Sequence, residues 1–231
     1  MTRHSVILQD LFASNIFTGF HTNADQVSLR NIGDPIFEQL IDLLKPKTIV
    51  EVGSWKGSSA IHMAQIVKKL HIDCVIICID TWLGSPEHWV KKNDSKTWGH
   101  QNLKLKHGYP TLYYTFLNNL ISKGCEDIII PLPSTSENAV KILKKQKICP
   151  ELIYIDAAHE FKPAYRDCEE YWKLLSPEGI LFGDDYEGWQ GVTKAAKKFA
   201  KHVEKPLYGK RGKFVIPNGD YKLDMIPIVN L

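Results

Sequence analysis

Two short segments in the second half of the chain place a histidine close to three carboxylates. Asp156 and His159 stand three residues apart in IDAAHEF, and Asp184 and Asp185 stand together in GDDY. Each segment follows an apolar run typical of a buried parallel strand, and the exits of adjacent parallel strands lie about 5 Å apart. Three carboxylates cannot share so small a volume unless they are protonated or bind a cation. Hard oxygen ligands favour Mg²⁺, Ca²⁺ or Mn²⁺, so the predicted metal ligands are Asp156, Asp184 and Asp185.

His159 is the candidate catalytic residue of this group. A histidine can be neutral near pH 7, so it can take a proton from a reacting group as a general base. Two alternatives stay open for it, a surface histidine and a further metal ligand. The acids have an alternative as well, in which one caps a helix, another faces solvent and no metal binds.

A second group of polar residues lies in the segment TIVEVGSWKGSSAIHM, at residues 48–63. Its pattern predicts a buried strand, a glycine turn and an apolar-periodic helix. A carboxylate at the mouth of a parallel strand, beside glycines that let a ligand approach the backbone, suits a nucleoside-containing cofactor. The alternative is an ordinary strand–turn–helix, and the glycine spacing is not the dinucleotide fingerprint G-x-G-x-x-G. The predicted cofactor-binding residues here are Glu51, Gly53, Ser54, Gly57, Ser58 and Ser59.

Asp80 ends the second apolar run, CVIICID, and is followed by Thr81 and Trp82. In nucleoside-binding α/β folds, an acid about 20–30 residues past the glycine turn accepts hydrogen bonds from ribose hydroxyls. The predicted cofactor site therefore includes Asp80 with Thr81, and the alternative for Asp80 is a helix N-cap. Trp82 either lies against adenine or is a core aromatic residue.

Apolar strands alternate with amphipathic helices along most of the chain, which indicates βαβ units with parallel strands. The fold class is therefore predicted as α/β and Rossmann-like, with a mostly parallel seven-stranded sheet, helices on both faces and a C-terminal antiparallel hairpin. Strands are predicted at about 47–53, 74–80, 128–130, 152–159, 179–185, 213–216 and 225–229. Helices are predicted at about 35–44, 58–70, 111–122, 138–147, 163–175 and 190–203.

The whole chain, 1–231, is interpreted as one domain with two special segments. Residues 1–34 are predicted to be an irregular leader. Residues 84–110 form a long polar and aromatic connection, and such connections in compact domains are usually functional or mobile. We interpret 84–110 as a lid over the acceptor, and the candidate substrate contacts are His88, Trp89, Trp98, Tyr109 and, beyond the lid, Tyr186.

Composition limits the class of protein and its partners. The 231 residues suffice for one sizeable α/β domain, and the net charge of +3 is too small to argue for nucleic acid or a membrane surface. The chain contains no run of about 18 apolar residues and no convincing signal peptide. Five cysteines without a C-x-x-C pair favour a reducing, cytoplasmic location.

The motifs together resemble those of the class I S-adenosylmethionine-dependent methyltransferases, most closely the small O-methyltransferases. The resemblance covers about 35–216 and is carried by E-x-G-x-x-x-G-x-S, TWLGSPEHW, the D-x-x-H pair, LLSPEGILFGDDY and the following GV-x-x-A-x-x-x-F helix. It implies that Glu51 helps to hold the methionyl amine of S-adenosyl-L-methionine and that Asp156 also borders the cofactor. It further implies that Thr135 and Ser136 contact adenine, whereas the alternative for PLPSTSENA is a capping box with Ser134 or Ser136 and Glu137.

The resemblance also bears on the D-x-x-H pair. In catechol O-methyltransferase-like enzymes a metal-binding aspartate ends this strand, and the catalytic base, usually lysine, follows three residues on. A histidine at this position, His159, is similar to the sugar and macrolide O-methyltransferases. The implied acceptor is a hydroxyl of a sugar or a glycosylated natural product, and the implied metal is Mg²⁺ or another divalent cation.

The expected function is therefore methyl transfer from S-adenosylmethionine to a small hydroxylated molecule, with a divalent metal lowering the acceptor's pKa and His159 as base. The alternatives are a non-catalytic nucleotide-binding protein of the same fold and a metal-independent N-methyltransferase. A nicotinamide dehydrogenase is disfavoured by the glycine spacing. Nucleic acid and membrane are not expected partners, and the leader and the C-terminal hairpin are candidate surfaces for a homo-oligomer.

Overall fold

The computed structural model describes residues 2–22, 33–89, 98–210 and 212–221, and for residues 87, 98–100 and 210 it describes the backbone alone. The strands in these residues are β1 (Thr48–Val52), β2 (Val75–Asp80), β3 (Ile129–Pro133), β4 (Leu152–Ile155), β5 (Ile180–Gly183), β6 (Tyr208–Lys210) and β7 (Lys213–Pro217). The helices are α1 (Arg3–Phe12), α2 (Pro35–Leu44), α3 (Ser58–Lys69), α4 (Pro86–Trp89), α5 (Trp98–Leu103), α6 (Leu112–Ser122), α7 (Ser136–Lys145), α8 (Phe161–Trp172) and α9 (Gln190–His202).

The seven strands form one sheet in the order β3-β2-β1-β4-β5-β7-β6. Strands β1 to β5 are mutually parallel, and β7 runs antiparallel to both β5 and β6. The strand order reverses between β1 and β4, and ligands of open α/β sheets bind outside the carboxyl ends of the strands at such a switch point. The predicted fold class is confirmed.

The composition of the C-terminal hairpin differs from the prediction. Its strands are β6 and β7, so 213–216 pairs with Tyr208–Lys210 and not with 225–229. Both edges of β7 are already hydrogen-bonded, to β5 and to β6, which leaves no edge for a further strand. The predicted strand at 225–229 lies outside the described residues.

Alternate residues of the central strands face two separate cores, because successive side chains of a strand point to opposite faces. In β1, Val50 and Val52 belong to one core and Ile49 to the other, and in β2 the pattern repeats with Ile77 and Cys78. The apolar residues of α7, α8 and α9 fill the first core, and those of α2, α3 and α6 fill the second. Covering both faces explains why these strands are continuous apolar runs.

The leader contains a helix that the sequence reading missed. In α1, the side chain of Thr2 accepts a hydrogen bond from the backbone N–H of Ser5 (3.2 Å) and so caps the N-terminus. Ile7 and Leu8 are buried in the core with α7, whereas Gln9 is exposed. Gln9 and Asp10, which interrupt the apolar run of this segment, are exposed on the outer face of an amphipathic helix.

The helices of the described residues are short. Among them the longest, α9, has 13 residues, and spanning a bilayer takes about 20. In the part of the chain that the structure describes, no helix combines the length and the apolar character needed to cross a membrane.

Candidate active site

A cavity of about 960 Å³ opens at the carboxyl edge of the sheet, where β1, β2 and β4 end. Pockets that hold small molecules and cofactors typically have about 300–1,000 Å³. Its walls come from the loop after β1, the exits of β2 and β4, helix α4 and the first turns of α7 and α8. The predicted site residues that line it are Gly53, Asp80, Thr81, His88, Thr135, Ser136, Asp156 and His159.

Gly53 makes the closest backbone contact of the site. Its φ is +89°, and a Cβ at this position would lie 1.9 Å from the carbonyl oxygen of Asp156. The N–H of Gly53 donates to the carbonyl oxygen of Ile79 (2.8 Å), so this residue touches both neighbouring strands. Only glycine permits the exits of β1 and β4 to approach this closely.

Asp80 organises the loop that follows β1. Its carboxylate accepts hydrogen bonds from the backbone N–H groups of Trp55 (2.8 Å) and Trp82 (2.7 Å). Burial raises the pKa of Asp80, and these backbone donors partly offset that rise. The residue therefore has a structural role, in a turn rather than at a helix N-terminus, and it also lines the cavity.

Glu51 and Ser54 lie behind the cavity wall. Glu51 is fully buried, and its Oε1 accepts a hydrogen bond from the Ser59 hydroxyl at the start of α3. Burial raises the pKa of Glu51, and the nearby Ser54 hydroxyl lowers it. Neither Glu51 Oε2 nor Ser54 Oγ has a hydrogen-bond partner with acceptable distance and angle among the described residues. Gly57, Ser58 and Ser59, at the start of α3, are not part of the cavity lining.

Trp82 lies in the core, whereas Trp55 lies at the cavity. Trp82 is 2 % exposed and packs against Phe116 at a centroid distance of 4.9 Å, so the core interpretation holds for it. Trp55, which the sequence analysis did not single out, lines the cavity and stacks on His88 at 4.5 Å. The polar residues around Trp55 in GSWKG were a signal that its ring is outside the core.

The first turn of α7 combines capping with cavity lining. Thr135 is the N-cap, and its side chain accepts from the backbone N–H of Asn138 (3.3 Å). The Ser136 hydroxyl donates to Asp167 Oδ1, on α8. Asp167 is 7 % exposed, and burial raises its pKa to about 6. The sequence reading missed Asp167, although its position among the buried residues Ala164, Cys168 and Tyr171 of α8 was a detectable signal.

The predicted metal ligands do not converge on one point. Asp184 Oδ2 lies 2.6 Å from Lys213 Nζ and 3.1 Å from the Tyr154 hydroxyl, and Asp156 Oδ2 lies 3.3 Å from the same hydroxyl. Asp185 turns away to His159. In the described ranges, no three His, Cys, Asp or Glu side chains are placed to hold a metal ion. These residues therefore do not fit a shared divalent cation.

Burial and like charge act together on Asp156. Burial raises its pKa to about 7, and the neighbouring carboxylates of Asp184 and Asp185 contribute in the same direction. Lys213 opposes this rise. Both effects favour the protonated form of Asp156 and so reduce the negative charge at the exit of β4.

His159 is held from two sides by the loop after β5. Its Nε2 lies 3.0 Å from Asp185 Oδ2, and its ring stacks on Trp189 at 4.3 Å with an interplanar angle of 8°. A Cβ on Gly191, at the start of α9, would lie 2.2 Å from the His159 carbonyl oxygen, so the backbone is closely packed as well. The arrangement fixes the ring orientation at the edge of the cavity, as a general base requires.

Three of the predicted substrate contacts lie away from the cavity lining. Trp89 and Tyr109 are 42 % and 67 % exposed. Tyr186 is buried, and its ring packs against Gly209 and Phe214 of the C-terminal hairpin, so it is a core residue. His88 lines the cavity, and the side chain of Trp98 lies outside what the structure describes.

The strand order, the acid at the end of β2 and the cavity at the switch point define a class I α/β fold with a site for a nucleoside-containing ligand. A family model described as a methyltransferase domain matches residues 50–186, which is more than half of the chain. The chain belongs to this methyltransferase family, and the sequence-based recognition of a class I S-adenosylmethionine-dependent methyltransferase is confirmed. Among curated proteins, no sequence matches the chain.

Solved structures show the same fold. CalS11, a calicheamicin methyltransferase, is similar with a TM-score of 0.58 and 16 % identity over 80 % of this chain and 78 % of that chain. The O-methyltransferase NovP is similar with a TM-score of 0.59 and 14 % identity, over 79 % of this chain and 77 % of that chain. An O-methyltransferase from Bacillus cereus, in complex with S-adenosylhomocysteine, is similar with a TM-score of 0.54 and 14 % identity. The match covers 93 % of this chain and 90 % of that chain. At these identities the likeness establishes the fold.

Proposed function

We propose that the protein transfers a methyl group from S-adenosylmethionine to a hydroxyl of a small molecule, with His159 as general base. The observation that carries the proposal is the imidazole of His159 at the cavity edge, fixed between Asp185 and Trp189. A scaffold that had lost catalysis would not need to hold a histidine in this way. The fold and the family supply methyl transfer, and the histidine supports a hydroxyl acceptor.

The cavity suits the cofactor on three grounds. Its volume of about 960 Å³ accommodates a nucleoside-containing molecule. The Gly53 backbone presents no side chain toward the ligand, and Asp80 offers carboxylate oxygens beside it for ribose hydroxyls. Behind the wall, Glu51 Oε2 has no hydrogen-bond partner among the described residues, so it can accept a hydrogen bond from the methionyl ammonium. When bound, S-adenosylmethionine supplies an activated methyl group on a sulfonium.

The role of His159 follows from its tautomer. With Nε2 donating its proton to Asp185, the neutral ring has its acceptor at Nδ1. Nδ1 would then take the proton that the acceptor hydroxyl loses on methylation, when the C–S bond of the donor breaks and S-adenosylhomocysteine leaves. The Asp185 carboxylate stabilises the imidazolium that results, as in other histidine–carboxylate pairs. Such proton transfer typically contributes about 10²–10⁴-fold to the rate.

The proposed acceptor is a sugar or a glycosylated natural product. CalS11 is described as a TDP-rhamnose 3'-O-methyltransferase, and TomG as an O-methyltransferase involved in tomaymycin synthesis. The stacked rings of Trp55 and His88 line the cavity, and aromatic faces with polar edges suit sugar rings. We place the lid at 84–110, of which residues 90–97 lie outside the described structure.

A magnesium-dependent version of the reaction is the competing proposal, as the sequence predicts it. The geometry of Asp184, Asp185 and Lys213 does not favour it, so no step is assigned to a metal. A metal-independent N-methyltransferase would share the cofactor site but would depend less on His159, because an amine acceptor needs no strong base to become nucleophilic.

The first experiment is calorimetric titration of the protein with S-adenosylhomocysteine, with NAD as the control ligand. We expect micromolar binding of the former and none of the latter. Absence of S-adenosylhomocysteine binding would refute the proposed function.

The cytoplasmic location stays a prediction from the cysteines, all five of which are free.

The second experiment tests the base with His159→Ala and a matched control, His202→Ala, which changes an exposed histidine at the far end of α9. On a panel of hydroxylated sugars, His159→Ala should lower kcat about 10²–10⁴-fold and leave the Kd of S-adenosylhomocysteine unchanged. The control should retain full turnover. Equal turnover of these sugars by both variants would exclude His159 as base.

A further inference from the structure

We propose that Lys213 is the resident cation of the acidic cluster, standing where a divalent metal would otherwise be needed. The antiparallel register pairs Gly183 with Phe214, so the residue before Phe214 lies opposite the residue after Gly183. Strand β7 thus brings Lys213 directly to Asp184 at the carboxyl edge of the sheet.

The ammonium group of Lys213 is enclosed and directed at the acids. The residue is 8 % exposed, and Nζ lies 2.6 Å from Asp184 Oδ2 and 3.4 Å from the Tyr154 hydroxyl oxygen. Aromatic rings cover its other sides, since Nζ lies 5.6 Å from the ring centroid of Tyr154 and 5.7 Å from that of Phe37. A buried ammonium is stable only with such partners, so this position is specified rather than incidental.

The charges of the cluster are already distributed among protein groups. Lys213 pairs with Asp184, and the Tyr154 hydroxyl, within reach of both Asp184 and Asp156, links the second carboxylate to the same ammonium. The carboxylate of Asp185 contacts the imidazole of His159. A divalent ion entering here would meet the fixed positive charge of Lys213 at the carboxylate it needs, and like charges repel strongly in a partly buried site.

Lys213 also acts on the base through its neighbours, as a positioning residue. It holds Asp184, whose Oδ1 accepts the backbone N–H of Asp185 at 2.9 Å. Asp185 has a φ of +62°, in the left-handed region that aspartate adopts more readily than most residues other than glycine. The chain of contacts therefore runs from Lys213 through Asp184 and Asp185 to His159.

The test measures Mn²⁺ binding, by calorimetry and by the electron paramagnetic resonance signal of the free ion. Neither readout depends on catalysis. Wild-type protein should bind no Mn²⁺ at this cluster. Lys213→Met, which nearly keeps the length of the side chain and removes its charge, should bind Mn²⁺ with a Kd at least tenfold below the highest Mn²⁺ concentration at which the wild type shows no binding. Lys213→Arg should behave as wild type, and Lys213→Met combined with Asp184→Asn should lose the acquired binding.

Two results would overturn the inference. One is Mn²⁺ binding by the wild type that Asp184→Asn abolishes, and this arm needs no Lys213 variant to fold. The other is a folded Lys213→Met protein that gains no Mn²⁺ affinity. The kinetic arm alone rests on the proposed function: turnover of the wild type should survive EDTA, and a loss that Mg²⁺ restores would contradict us. Absence of S-adenosylhomocysteine binding would reject the proposed function while leaving the Mn²⁺ results interpretable.

Discussion

The two halves of the sheet's carboxyl edge treat their acids differently. On the β1–β2 side, Glu51 is fully buried and keeps one carboxylate oxygen without a hydrogen-bond partner among the described residues. On the β4–β5 side, Asp184 contacts Lys213 and Asp185 contacts His159. We therefore expect the first side to keep a hydrogen-bond acceptor for a ligand, whereas the acids of the second side contact other side chains of the protein. On this proposal the strand-end acids form two sites with different chemistry.

The largest expected effect comes from breaking the point where the two sides meet. Gly53→Ala would place Cβ 1.9 Å from the Asp156 carbonyl oxygen and force an alanine into a φ of +89°. Backbone strain and overpacking together should lower the free energy of unfolding by about 3–5 kcal/mol, measured by urea denaturation.

Gly124→Ala is the matched control for this change. It has a similarly positive φ, +61°, but nothing lies within 4 Å of the added Cβ. It should therefore lower the free energy of unfolding only by the cost of placing alanine in the left-handed region, about 1 kcal/mol. Equal destabilisation by the two alanines would show that the contact with Asp156 is not what requires glycine.

A second prediction uses pH to examine the buried acid at the α7–α8 wall. Burial raises the pKa of Asp167 to about 6, with Ser136, Arg166 and Glu137 as its nearby polar and charged neighbours. The native state then binds the proton more tightly than the unfolded chain. The stabilisation that the protonated Asp167 carboxyl contributes is complete below pH about 4, the pKa of aspartate in the unfolded chain. It is lost as the pH rises through about 6, the pKa in the folded protein.

The matching experiment compares wild type with Asp167→Asn by denaturation between pH 3.5 and pH 8. As the pH falls across this range, the free energy of unfolding of the wild type should rise by about 3 kcal/mol relative to that of the variant. Asp73→Asn, at an exposed aspartate before β2, should show no such difference. Parallel pH profiles for wild type and Asp167→Asn would refute the effect of burial.

A third prediction sharpens the β4–β5 side of the comparison. Asp185→Asn keeps the shape of the side chain but removes the charge that stabilises the imidazolium of His159. Turnover should fall about 10–100-fold, while S-adenosylhomocysteine binding stays unchanged. Glu187→Gln changes an exposed acid of the same loop and should be silent. If both variants turn over alike, Asp185 does not serve the base.

The smallest expected effect concerns the β1–β2 side. Glu51→Gln removes a buried negative charge, so stability should be unchanged or increased, because burial penalises the ionised form. Calorimetry should nevertheless show S-adenosylhomocysteine binding about tenfold more weakly, or about 1.4 kcal/mol. Glu38→Gln, on the exposed face of α2, is the control. Unchanged affinity would separate Glu51 from the cofactor.

Much of the architecture was predictable because it depends on local patterns. Continuous apolar runs identified β1, β2, β4 and β5, and the glycines and acids after them located the cavity edge. Helix α1 was missed because Gln9 and Asp10, which lie on its outer side, interrupt the apolar run along the sequence. The partner of β7 was also wrong, because β6 has only three residues and carries almost no strand signal.

The sequence by itself determined the α/β class, the methyltransferase family and the residues at the exits of the strands, since each follows from hydrophobic periodicity and short motif spacing. Only the tertiary structure decided which partner each acid takes. Lys213 lies 29 residues after Asp184 in the chain and is brought to it by the antiparallel register of β5 and β7. Spacing along a chain cannot report a cation delivered by a strand pairing, so only the fold distinguishes a metal site from an internal ion pair.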